Sequence, residues 1–418
     1  MRRLGDLPLQ VVPGDTTGLI ELASPPSGGA RGLHALIIGV GNYPNLVRAP
    51  NNLLGMGHLD GPARTALKFA EFLLSFDTKP DRLAAPLRSL RLLLSPRPRE
   101  QGQIPIPAGI LPANWQTIHT AAVAWRHAAT NSADDVTLFY FAGHGIQRGP
   151  AEGVLFPEDV LEGYPDDGAP ILDRAFDVNN LYNGMAPKPG ELGSAPETIA
   201  NIQYFFFDAC RSPLPALNNF FNASPRPIFN VRADGVDNRI APRFFAANPG
   251  GLGYATPIGT TFGEDLLKCL SGAGADLLSS DGSPVWGITI DRLSRVMESM
   301  RDEWNATYPA YRRSFELGNI TSTKPILVQF ASPPVVACRF TIQPDTALAE
   351  ASLKLVTYRA GQEIMAHCEG PPLPSACVAR EFPGGTYLIQ ASHSSGPPQF
   401  QQLAVILPPS FVQKVIFG

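Results

Sequence analysis

The stretch Ile202-Gln203-Tyr204-Phe205-Phe206-Phe207-Asp208-Ala209-Cys210-Arg211-Ser212 decides how the rest of the chain is read. Its run of consecutive aromatic residues suits a strand buried on both faces of a sheet. The run stops at a carboxylate, a small residue, a thiol and a guanidinium. Cys210 would therefore stand at a strand's carboxyl end, where open α/β sheets hold ligands. Alone, a free cysteine reads as a small buried hydrophobe. A second stretch changes that weighting: Val136-Thr-Leu-Phe-Tyr-Phe-Ala-Gly-His-Gly145 is another buried strand, and it ends on His144 between two glycines. Neighbouring parallel strands ending in His and Cys bring a base within reach of a thiol, lower the thiol's pKa and supply a proton for a leaving group.

Working outward, Leu33–Val40 predicts a first central strand and Leu90–Leu94 a short one. Between them Ala63, Ala66, Leu67, Ala70, Leu73 and Leu74 form a helical stripe. Trp115, Ile118, Ala122, Trp125 and Ala129 form another, with Asn114 placed to cap it. The order β-α-β-α-β with continuous apolar strands calls for a parallel sheet covered by helices on both faces. Asp173–Met185 reads as helical and Arg243–Asn248 as a strand. Thr261-x-x-Glu264 reads as a capping box opening a helix, and a stripe from Ile290 to Trp304 predicts the last helix. Lys324–Phe330 is expected to close the sheet. Beyond Ser332-Pro333-Pro334, short β-rich segments separated by Gly and Pro predict a small sandwich or barrel. Residues 1–32, rich in Pro, Gly and Ser, predict a loosely docked extension. Gly39-x-Gly41 lacks the third glycine of a dinucleotide fingerprint, because Pro44 stands there.

The chain has 418 residues, 44% hydrophobic and 17% charged, which fits one large domain plus a smaller one. A net charge of −4 leaves no basic footprint for nucleic acid. No apolar run approaches the ~20 residues that span a bilayer. Met1-Arg2-Arg3 is not followed by the apolar core of a secretory signal, so a cytoplasmic, reduced setting is expected. The count of five cysteines is odd and argues against a complete disulfide framework. A Cys368–Cys377 bridge, or a metal site with His367, stays open beside the reading of scattered free thiols.

Phe-Ala-Gly-His-Gly followed by Asp-Ala-Cys-Arg-Ser resembles the His–Cys dyad of the caspase-like cysteine peptidases, especially the metacaspases and bacterial caspase homologues. Cys210 follows His144 by 66 positions, longer than the roughly 50 of animal caspases, which fits a loop insertion. The resemblance runs from about Leu33 to Phe330. It implies a caspase-like three-layer α/β sandwich on a mostly parallel six-stranded sheet, over residues 33–331. Residues 1–32 would be an extension and 335–418 a β-rich accessory domain. It further implies that Cys210 attacks a scissile carbonyl, that His144 carries the proton, and that the N–H groups of Gly145 and Cys210 hold the oxyanion.

Asp208 occupies the position where animal caspases usually carry Gln. Metacaspase-like enzymes carry Asp there and cut protein substrates after Arg or Lys, by pairing that acid with the basic side chain. A plainer role for Asp208 is to cap the strand or brace Arg211. The second pocket acid of the metacaspase pattern is replaced by Thr65, so either Asp60 substitutes or the pocket holds only one charge. Rival readings are an Asp-specific peptidase using Arg64 or Arg211, and a catalytically silent scaffold. Several metacaspases need calcium, and Asp159, Asp166, Asp167, Asp173 and Asp177 offer oxygen ligands without a fixed-spacing loop; no cofactor is the expectation. Arg226, Arg232 and Arg239 are candidate self-processing sites in the loop 213–240 of a zymogen. Control by an upstream protease or regulatory partner, and service in stress or antiviral defence, are implied by the resemblance alone.

Overall fold

A computed structural model of the chain describes residues 9–22, 31–48, 55–77, 81–149, 152–163, 172–190, 197–213, 224–231, 237–279, 285–318, 325–359, 362–393 and 398–417. The chain divides into two compact units, residues 1–267 with 297–325 and residues 268–296 with 326–418. This division follows a different line from the expected one at residues 331–335.

The first unit is built on a six-stranded sheet of β1 (Leu33–Val40), β2 (Leu87–Ser95), β3 (Val136–Ala142), β4 (Ile202–Asp208), β5 (Arg243–Phe245) and β6 (Glu316–Gly318). The spatial order is β6-β5-β4-β3-β1-β2. All neighbours are parallel except β5 and β6. The expected closing strand at Lys324–Phe330 instead falls on Ile326–Phe330, which pairs antiparallel with Val285–Thr289 in the second unit. The sheet is closed by β6, only three residues long.

Side-chain alternation along β4 explains its aromatic run. Phe205 and Phe207 point to one face and meet Phe139, with Phe205 also edge-on to Trp125 of helix α2 (Trp115–Ala129). Phe206 points to the other face and meets Phe69 of helix α1 (Pro62–Leu74) and Phe244 of β5. Asp208, two residues beyond Phe206, is carried to the α1 face by the same period. Asn114 caps α2 as expected, its side chain accepting from Thr117 N at 2.9 Å.

Three local expectations change. Helix α3 is shorter than the segment 173–185, spanning Val178–Gly184, with Asp177 as its N-cap. Helix α4 (Thr261–Lys268) has no capping box, because Glu264 pairs with Lys68 and Thr261 Oγ1 donates to Tyr254 O. Within the N-terminal segment, residues 18–20 are bound to the sheet rather than loosely docked. Ile20 N donates to Leu90 O at 2.8 Å and Leu92 N to Gly18 O at 2.9 Å, so residues 18–20 cover the edge of β2; covering an edge strand blocks its unpaired backbone from other chains.

In the second unit, seven strands between Val335 and Ile416 form a three-stranded and a four-stranded sheet around their own core, including Phe340, Leu353, Leu355, Ile389 and Val415. All five cysteines are free, with Cys368 and Cys377 exposed. Among the described residues no helix is long and apolar enough to cross a membrane.

Candidate active site

The register of the sheet sets the site. Ala142 of β3 pairs with Asp208 of β4, and four residues later Ile146 pairs in parallel with Ser212. His144 and Cys210 therefore stand level with each other, midway between two paired positions, at the carboxyl ends of adjacent strands. Both glycines around His144 are required by this closeness. A Cβ on Gly145 would lie 2.8 Å from Cys210 O and 2.9 Å from Ala209 Cβ; one on Gly143 would lie 2.5 Å from the Tyr43 hydroxyl. The close approach is to the protein's own backbone and ring, not only to a substrate.

His144 is 8% exposed. Its Nε2 lies 2.7 Å from Gly57 O. A carbonyl can only accept, so in the neutral ring Nε2 carries the proton and Nδ1 is the free base. Burial pushes the imidazole pKa down to about 4, partly opposed by the Gly57 hydrogen bond. Tyr43 packs its ring on the imidazole with centroids 4.7 Å apart. Its hydroxyl accepts from His144 N at 2.7 Å and donates to Phe156 O at 3.2 Å.

Cys210 is half-buried, and burial pushes its thiol pKa up, with the charge of Asp208 adding to the rise. The sulfur accepts from Gly253 N at 3.2 Å and donates to Gly253 O at 3.6 Å. The segment before Gly253 runs back along the strand end, with Gly250 N on Arg211 O at 2.7 Å and Arg211 N on Gly251 O at 3.0 Å. The thiol and imidazole are not hydrogen-bonded to each other. At neutral pH both are uncharged, which is a resting pair rather than a thiolate–imidazolium ion pair.

Asp208 is buried on the α1 face, where its Oδ2 accepts from Tyr140 Oη at 2.8 Å, from Gly263 N at 3.1 Å and from Thr260 Oγ1. No described residue donates to its Oδ1. Desolvation raises the carboxyl pKa to about 6 against these lowering contacts. Asp208 does not brace Arg211, which instead bonds Gln147 Oε1 at 2.9 Å and Glu316 at 2.6 Å and stacks on Phe245. Arg211 is thus committed inside the protein. Thr65 joins the Asp208 cluster, its Oγ1 accepting from Thr260 N at 2.8 Å. Asp60 is held elsewhere by Arg97 and Arg99, which keep its carboxyl below the usual range. It does not supply the missing second acid.

Of the processing candidates, Arg239 is locked in the interior by Asp237, Gln203 and the Tyr182 ring, its side chain 1% exposed. Folded chain cannot present it for cleavage, so burial removes it from the set. Arg226 stacks over Trp115, 4.3 Å from the ring centroid, and Arg232 lies outside the described residues. Asp159 serves Trp115 N and Arg174, while Asp177 caps α3; Asp166 and Asp167 lie outside the described residues. Sequence reasoning missed Gly57, a backbone carbonyl that no residue type advertises. It also missed Tyr43 and the Gly253 segment.

Residues 33–238 match the family described as "Caspase domain". Residues 33–238 carry a caspase domain, and the fold is mixed α/β on a mostly parallel six-stranded sheet with an added β-rich region. Among solved structures, a protein from Geobacter sulfurreducens is 11% identical with a TM-score of 0.38, over 70% of this chain and 95% of that one. Caspase-1 from Spodoptera frugiperda is 11% identical with a TM-score of 0.37, over 73% and 96%. No curated protein matches.

Proposed function

We propose that the chain is a cysteine endopeptidase that cuts protein substrates after Arg or Lys, with Cys210 as nucleophile and His144 as proton carrier. The observation that carries the reading is the level placement of His144 and Cys210 between the Ala142–Asp208 and Ile146–Ser212 pairings. Nδ1 of His144 takes the thiol proton as the sulfur attacks the scissile carbonyl. The N–H groups of Gly145 and Cys210 receive the negative charge that develops on the carbonyl oxygen. The imidazolium then protonates the leaving amine, and water hydrolyses the thioester. Substrate must displace Gly253 from the sulfur, which slows the uncut chain without silencing it. Cleavage at Arg226 or Arg232, or an upstream protease, is a route to that displacement. A cytoplasmic role in stress or antiviral defence belongs to the same proposal on resemblance alone.

Asp208 supports basic specificity as a carboxylate two residues before the nucleophile whose contacts from described residues all fall on Oδ2. The Asp-specific reading loses Arg211 to its internal partners, while Arg64 has a buried Nε without a partner and keeps that reading in the test. Fluorogenic peptides ending in Arg, Lys or Asp should be hydrolysed in the first two cases only, and not by Cys210→Ala. Preference for the Asp peptide would reverse the specificity. Equal signals from wild type and Cys210→Ala would leave the scaffold reading.

A further inference from the structure

His144 is gripped at two points, and both grips lead back to one residue. Tyr43 Oη holds the His144 backbone N–H, and Gly57 O holds Nε2 at the far end of the ring. The residue after Gly57 is His58, whose Nδ1 accepts from Tyr43 N at 3.0 Å. The contacts thus form a closed ring: Tyr43 to His144, His144 to Gly57, Gly57 through one peptide to His58, and His58 back to Tyr43. The Gly57 segment is tied again by Leu59 N on Gly41 O at 2.9 Å and Gly61 N on Glu100 Oε1 at 3.0 Å. Tyr43 is 0% exposed, and only glycine at position 143 leaves room for its hydroxyl.

We infer that Tyr43 and His58 are positioning residues for His144, fixing through this ring the tautomer and direction of the imidazole that stands level with Cys210. The inference rests on the peptidase reading and deepens it. Neither residue hydrogen-bonds to a reacting atom; each acts by holding the imidazole. Tyr43 supplies a hydroxyl that accepts from the His144 backbone while its ring stops the imidazole from turning. His58 supplies an unprotonated nitrogen acceptor that fastens Tyr43 to the Gly57 carbonyl. A small misplacement of a catalytic group is costly, on the order of 100-fold in rate for about 1 Å.

The test compares wild type with Tyr43→Phe, His58→Ala and His58→Asn. Asn can place an acceptor oxygen close to where Nδ1 stands, so it is the rescue variant. Hydrolysis of the Arg peptide should fall roughly 10- to 100-fold in kcat for Tyr43→Phe and His58→Ala, with KM within about twofold. His58→Asn should recover most of the loss. Nitrogen NMR of the His144 ring gives a readout independent of turnover. Wild type should show a single Nε2–H tautomer, while Tyr43→Phe and His58→Ala show a mixture. Wild-type kcat in both variants, a loss confined to KM, or an unchanged tautomer would overturn the inference. Should wild type cleave none of the peptides, the peptidase reading fails, and the tautomer spectra alone decide the positioning.

Discussion

Two buried histidines sit at opposite ends of the same sheet. His34, near the start of β1, has Nδ1 2.8 Å from Ser89 Oγ and Nε2 3.4 Å from Asp135 Oδ2. Asp135 also accepts from Gly32 N at 2.7 Å and lies near Arg88. Serine, histidine and carboxylate thus meet in the order of a hydrolytic triad, yet they meet at the amino ends of the strands. His144, beyond the end of β3, spends Nε2 on Gly57 O, and no described residue bonds its Nδ1. Burial depresses both histidines, so both rest neutral. What separates a structural clasp from a candidate site is therefore placement at the strands' carboxyl ends, not residue type.

The comparison breaks most sharply by deleting one partner at each end. Cys210→Ala should abolish peptide hydrolysis and leave the melting temperature nearly unchanged. Asp135→Ala should do the reverse, lowering stability by about 3 kcal/mol or more, because a buried polar network loses its carboxylate. Hydrolysis per folded molecule should persist. Urea titration and initial rates on the same samples check both.

A smaller effect is expected at Asp208. Asp208→Asn keeps an acceptor for Tyr140 and Thr260 but removes the charge, so kcat/KM for Arg and Lys peptides should fall roughly 10- to 100-fold. A drop of equal size for an uncharged peptide would mean that Asp208 acts through the sheet rather than on the substrate.

The smallest effects are in the pH dependence of stability, and their signs oppose. Between pH 6.5 and about 4 the unfolded chain protonates the histidine at 144 while the folded one does not. That contribution, about 3 kcal/mol, is full above pH 6.5 and lost as pH falls. Asp208 holds its proton up to about 6 when folded but only to about 3.8 when unfolded, so it adds stability as pH falls through that window. His34 shares the sign of His144. Melting temperatures should therefore fall more steeply between pH 6 and 4 in Asp208→Asn, and less steeply in His144→Asn.

The strands that carry the site were legible because their chemistry is extreme: unbroken apolar runs ending at Gly-His-Gly and at Asp-Ala-Cys-Arg. The parallel order followed from the helices between them. Less legible was whatever depends on partners distant in sequence. Glu316–Gly318 closes the sheet with three residues and no pattern, while the apolar Ile326–Phe330 pairs in the second unit. Glu264 looked like a capping residue until Lys68, far upstream, claimed it. Arg239 read as a candidate cleavage site in an irregular loop, yet Asp237 neutralises it and Tyr182 covers it. Gly57 contributes through a carbonyl that every residue possesses.

The central claim is tested most directly by thiol labelling with a peptidyl acyloxymethyl ketone ending in Arg, followed by mass mapping. Five thiols are free, and Cys368 and Cys377 are the exposed ones. The account predicts one adduct, on Cys210, with labelling slowed strongly in His144→Ala and Asp208→Asn. Adducts on Cys368 and Cys377 with Cys210 unmodified would contradict it, because reactivity would then follow exposure alone.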